Sequence, residues 1–151
     1  MAGDPIPVHI HMVTEHVGGD QDMERERLEA VGRASFTAAR WVIRFSERSD
    51  DRVTGRTTIK VTDEQLTLIR SGDVTMRQVF IPDCETRGMY HHPYGSMEMI
   101  TTTQDVYRRA SGDEWQIGWR YVLALNGADV GAFHINVMIR RDRSGEDGKR
   151  E

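Results

Sequence analysis

Arg70, Gln78, Thr101, Thr103 and Tyr121 stand at positions where the surrounding pattern calls for apolar side chains. Arg70 continues the alternation of Leu66 and Leu68, and Gln78 lies between Met76 and Phe80. Thr101 and Thr103 follow Met97 and Met99, and Tyr121 lies between Trp119 and Leu123. In a strand every second side chain shares a face, so each of these polar groups points where its apolar neighbours point. If those faces enclose an interior, the result is an apolar chamber with a few polar anchors, the make-up of a small-molecule site. Arg70 is the most demanding member, because a guanidinium carries five donors and cannot be neutralised by deprotonation. Its candidate partners within the chain are Asp105, on the Thr101/Thr103 phase, and Asp73 nearby. If neither serves, a small carboxylate or phosphate would. Tyr90 and Tyr94 are placed to flank the mouth of such a chamber. The alternative is a filled core in which these groups satisfy one another and Arg70 reaches solvent at a strand end, since small barrels are commonly packed solid.

Other chemistry is thinly represented. His9 and His11 have a spacing that can hold zinc, and His91, His92 or His134 could complete a set. Both histidines, however, alternate with Val8, Ile10 and Met12 and so belong to a solvent face, and no metal is expected. Cys84 follows Pro82-Asp83 without a histidine at readable spacing. There is no Gly-x-Ser-x-Gly elbow, Walker loop or Gly-x-Gly-x-x-Gly turn. No catalytic residue or cofactor is therefore assigned, and an enzyme is not the expected reading.

The chain of 151 residues fits one domain, large enough to bury about 70% of its unfolded surface. That domain is expected over residues 1–143, with a charged, disordered tail over 144–151. A single cysteine excludes a disulfide framework and suits a reducing compartment. The N-terminal MAGDPIPVHIHMV lacks the layout of a signal peptide. No apolar run approaches the roughly 20 residues of a membrane helix. A cytoplasmic protein is expected, without membrane contact. The net charge of −4, with acids and bases interspersed along the chain, argues against nucleic acid as a partner.

The elements that must position the polar groups are strands. Trp115, Ile117, Trp119, Tyr121, Leu123 and Leu125 alternate, as do Phe133, Ile135, Val137 and Ile139 beyond Asn126-Gly127. This reads as a one-sided β-hairpin. A two-residue turn alone would place the two apolar faces on opposite sides. The spacing therefore predicts an odd-length loop, Leu125-Asn126-Gly127, with Gly127 at positive φ. Further strands are read at Pro7–Thr14, Arg40–Glu47, Thr57–Val61, Leu66–Arg70, Val74–Ile81, Thr86–His92 and Ser96–Arg109. His16–Asp22 reads as a loop, and Glu24–Ala30 is open between helix and strand. Short polar separators favour an antiparallel meander of about eight to ten strands, a barrel in preference to a sandwich.

Three stretches, LTLIRSGDVTMRQVF (66–80), MYHHPYGSMEM (89–99) and LALNG (123–127), resemble the YwiB-like family. The elements Ile69-Arg70-x-Gly72 and Pro93-Tyr94-Gly95 carry the resemblance, which extends from Val8 to about Arg140. His92 stands where a threonine-like residue is expected. The resemblance implies a bacterial domain of unknown function, a calycin-like (lipocalin-like) β-barrel, and a strand rather than a helix over Glu24–Phe36. It carries no activity, so no catalytic residue is assigned from it.

Together these observations point to a barrel binding a small ligand, anionic if Arg70 finds no partner in the chain, through Arg70, Gln78, Tyr90, Tyr94, Thr101, Thr103 and Tyr121. The alternative is an interaction or structural module, in homodimeric form, using Val122, Val106 and Ile100 as outward apolar residues. An enzyme with an unrecognised site is a third class.

Overall fold

The computed structural model describes residues 3–18 and 22–143, so the expected tail over 144–151 lies outside the described residues. Ten strands form in chain order: β1 (Ile6–Val17), β2 (Met23–Phe36), β3 (Trp41–Ser49), β4 (Arg52–Val61), β5 (Leu66–Gly72), β6 (Thr75–Phe80), β7 (Glu85–His92), β8 (Gly95–Ser111), β9 (Glu114–Leu125) and β10 (Ala128–Arg141). Each pairs antiparallel with the next, and β1 pairs with β10, so the meander closes into a barrel. Among the described residues no helix is long and apolar enough to cross a membrane.

The segment left open between helix and strand is β2. Leu28 pairs with Met12 and Ala30 with Ile10, so β1 supplies partners that the helix propensity of MERERLEA does not outweigh. His16 belongs to β1 and not to a loop, because β1 runs on to Val17 opposite Met23.

The β9–β10 hairpin corrects the expected turn. Leu125 pairs with Ala128 around a two-residue Asn126-Gly127 turn, both at positive φ (49° and 81°). The odd residue is Val130, which is skipped between the pairs Asp129↔Ala124 and Gly131↔Leu123. Beyond this bulge Phe133, Ile135 and Val137 pair with Tyr121, Trp119 and Ile117 and share their inner face, as the alternation requires. Gly131, at φ 123°, is the residue that permits the bend: a Cβ there would lie 2.1 Å from the Val17 carbonyl oxygen of β1.

A second bulge overturns two expectations. In β8 Thr103 pairs with Tyr121 but Asp105 with Arg120, leaving Gln104 unmatched and reversing the strand's phase. Asp105 therefore faces outward and bonds Arg120 (2.6 Å). Val106, expected outside, packs against the core.

One end of the barrel is filled. Phe36 stacks on Trp115 with ring centroids 3.8 Å apart and meets Trp41 edge-on. Arg108 closes that end, its guanidinium 5.0 Å from the Trp41 ring and bonded to the Ala38 carbonyl (3.0 Å) and Asp63 (2.8 Å). The end bearing the β3–β4, β5–β6 and β9–β10 turns is the hollow one.

Candidate functional site

The hollow end holds a cavity of about 310 Å³. Arg27 borders it from off the inner phase of β2; Met12, Leu28, Leu68, Met76, Trp119, Tyr121 and Ile135 form its apolar walls, and Thr14, Glu26, Glu47, Thr57, Arg70 and Gln78 are the inner-phase polar residues facing it. Alternation places each of them there: Arg70 follows Leu66 and Leu68 along β5, and Glu47 follows Ile43 and Phe45 along β3.

Arg70 does not meet Asp105 or Asp73, contrary to expectation. Asp105 lies outside with Arg120, and Asp73 pairs with Arg52 at 2.7 Å. The partner is Glu47: Arg70 Nη2 donates to Glu47 Oε2 at 2.7 Å, and the Thr57 hydroxyl donates to Glu47 Oε1 at 3.3 Å. The pair is half-buried, with 33% and 21% of the two side chains exposed. The internal carboxylate supplies the counter-charge for which an external anion was invoked, and Glu26 and Arg27 add one charge of each sign to the lining.

Deeper in, Gln78 Nε2 donates to Thr101 Oγ1 at 2.9 Å, so Thr101 stands behind Gln78. The Thr103 hydroxyl and the Trp119 indole N–H are buried without a partner. Burial pushes the Tyr121 hydroxyl well above the ordinary phenol range, so it stays protonated. Its ring lies between Phe80 and Phe133, at 4.8 and 5.1 Å, and His16 stacks on Phe133 at 4.2 Å while bonding the Val130 carbonyl of the bulge (2.9 Å).

Five of the residues named from sequence thus gather inside the barrel: Arg70, Gln78, Thr101, Thr103 and Tyr121. Tyr90 is half-buried, paired with Met76 and Met97 on the inner phase, but does not line the cavity. Tyr94 is 95% exposed on the β7–β8 turn, 5.2 Å from the His92 ring. Glu47, Thr57 and Trp119 were missed. The rule that singled out Arg70 also covers Glu47, two residues past Phe45, and Thr57, two before Ile59.

His9 and His11 face outward. His9 lies 3.2 Å from Asp142 and His11 3.2 Å from Glu29, with 42% and 39% of their side chains exposed. Among the described residues no group of three or more His, Cys, Asp or Glu side chains could hold a metal ion.

The backbone is similar to the crystal structure of ywiB protein from Bacillus subtilis, with a TM-score of 0.81 at 18% identity, over 93% of this chain and 95% of that one. At that identity the likeness shows a shared barrel fold. No curated protein sequence matches the chain. The family described as Domain of unknown function (DUF1934) matches residues 10–137, most of the length of the barrel, and this chain belongs to it.

Proposed function

We propose that the barrel binds a small, mainly apolar organic molecule with a polar end, neutral or zwitterionic, in the cavity between Leu68, Trp119 and Tyr121. The observation that carries this reading is the cavity itself. Its volume of about 310 Å³ is at the lower end of the range of ligand sites, and apolar walls surround a small polar set. Glu26 and Glu47 balance Arg27 and Arg70 in the lining, so a ligand with both donor and acceptor suits the cavity better than a net anion. Calycin barrels bind ligands at such an end, which is an analogy of fold only. The lone, exposed Cys84 suits a reducing cytoplasm as its setting.

Native mass spectrometry of the protein as isolated from cells tests this. A retained small-molecule adduct is expected, lost in Leu68→Phe, which fills the cavity while circular dichroism shows the barrel intact. An adduct held equally by Leu68→Phe, or no adduct and no stabilisation by any member of an apolar compound set, would refute it.

A second reading, a protein-interaction module, rests on one feature. β2 pairs with β3 only from Gly32 to Phe36, so among the described residues its Met23–Val31 edge has no ladder on that side. Such an edge can accept an extended segment of another protein. The same spectra report the oligomeric state.

A further inference from the structure

The outer face of β2, β3 and β4 carries charge of one sign. Burial of Ala34, Ile43, Phe45 and Ile59 on the inner phase sends Arg33, Arg44, Arg56 and Lys60 outward. Arg33 stands directly opposite Arg44 in the β2–β3 ladder, and Arg56 lies diagonal to Arg44, opposite Ser46. Arg33 donates to the Pro5 carbonyl at 3.0 Å. Among the described residues none of these four cations has an ion-pair partner, whereas Arg25, Arg52, Arg70, Arg87, Arg108 and Arg120 all do. Like charges directly opposite one another across a ladder destabilise it, and among the described residues no acid pairs with these four to offset the repulsion.

These cations border a groove of about 510 Å³. Arg33, Arg44 and Arg56 share it with the hydroxyl residues Ser35, Thr58 and Ser71, and among the described residues no carboxylate lines it. We propose that this groove binds a compact oligophosphate, with the three guanidiniums as its principal donors. Opposite positions on neighbouring strands lie about 5 Å apart and diagonal ones about 7–8 Å. Three long forks from such positions can converge on adjacent phosphoryl groups, each in bidentate geometry, with the hydroxyls as further donors. A nucleic-acid strand is a poorer fit. The one aromatic residue at the groove, Phe45, is 4% exposed and belongs to the core, so bases would find no stacking platform. The net charge of −4 also opposes a long polyanion.

Titration calorimetry at low ionic strength with inorganic pyrophosphate, orthophosphate and a mixed-sequence single-stranded DNA oligonucleotide tests the assignment. Saturable pyrophosphate binding is expected, tighter than that of orthophosphate. Arg44→Gln should weaken it roughly 10- to 100-fold, the effect of losing one charged hydrogen-bonding group. Arg77→Gln, which removes the same charge from β6 outside the groove, should leave it unchanged, as should Leu68→Phe within the barrel. Relief of the repulsion should leave ligand-free Arg44→Gln at least as heat-stable as the parent protein. No saturable binding of pyrophosphate, an equal loss in Arg77→Gln, or tighter binding of the oligonucleotide would overturn the proposal.

Discussion

Removing either partner of the Arg70–Glu47 pair should cost more than removing both. The pair is close (2.7 Å) and braced by Thr57, yet 33% and 21% of its side chains remain exposed. It therefore falls between exposed pairs, worth about 0.2–1 kcal/mol, and buried pairs, whose breaking costs about 3–5 kcal/mol. Glu47→Leu leaves the guanidinium in a cavity beside Leu68 and Met76, and Arg70→Leu leaves the carboxylate there. Each single change should destabilise the protein by about 1.5–2.5 kcal/mol. That corresponds to a fall in Tm of roughly 3–10 °C for a chain of this size. The double change Glu47→Leu/Arg70→Leu exchanges the pair for apolar groups on an apolar wall, and should lie within about 1 kcal/mol of the parent. Urea melts of the four proteins give the coupling directly, expected at about 2 kcal/mol or more. Single effects that add to within about 0.5 kcal/mol would show the two charges to be independent and refute the reasoning.

A Cβ at Gly118 would lie 2.1 Å from the Tyr107 ring, whose hydroxyl donates to Asn136 at 2.9 Å. Gly118→Ala should therefore displace Tyr107 and cost about 1–3 kcal/mol in urea melts, an effect that vanishes in a Tyr107→Ala background. The hydrogen bond from Arg120 holds the Asp105 carboxyl below the usual carboxylate range. A folded-state pKa below the unfolded value of about 3.9 gives stability that is complete above that pH and lost as pH falls through the folded value. The parent should thus be more stable than Asp105→Asn at neutral pH, with the difference fading below about pH 4 in pH-dependent urea melts. Deleting Val130 removes the residue that restores register, turning Phe133, Ile135 and Val137 outward, so this variant should fail to give a cooperative thermal transition.

Alternation along the chain is a local property, and it was sufficient to assign most of the strands, the antiparallel meander and the inner phase of Arg70, Gln78, Thr101, Thr103 and Tyr121. The same rule extended to Glu47 would have found the partner of Arg70 as well. Bulges are where it stopped being sufficient. An extra residue such as Gln104 or Val130 leaves the local pattern intact but reverses the phase of the strand beyond it. Asp105 and Val106 therefore exchanged their expected sides, and the odd residue of the hairpin lay beyond its turn. Which position bulges depends on the neighbouring strand, as with the close approach of Gly131 to Val17.

Pairing between distant strands was likewise beyond local reading. MERERLEA favours a helix until β1 offers it Met12 and Ile10 as partners. Acids and bases intermix along the chain, yet register sets Arg33 beside Arg44 and Arg56 with no acid among them. Whether the interior is filled also rests on side chains from many strands at once: Phe36, Trp41, Trp115 and Arg108 plug one end, and the other stays open around Trp119 and Tyr121. The sequence by itself determined the fold class, a closing meander, and the inward face of most strands; register, the bulges that reverse a strand's phase and the hollow end were decided only by tertiary structure, because they depend on contacts between residues far apart in the chain.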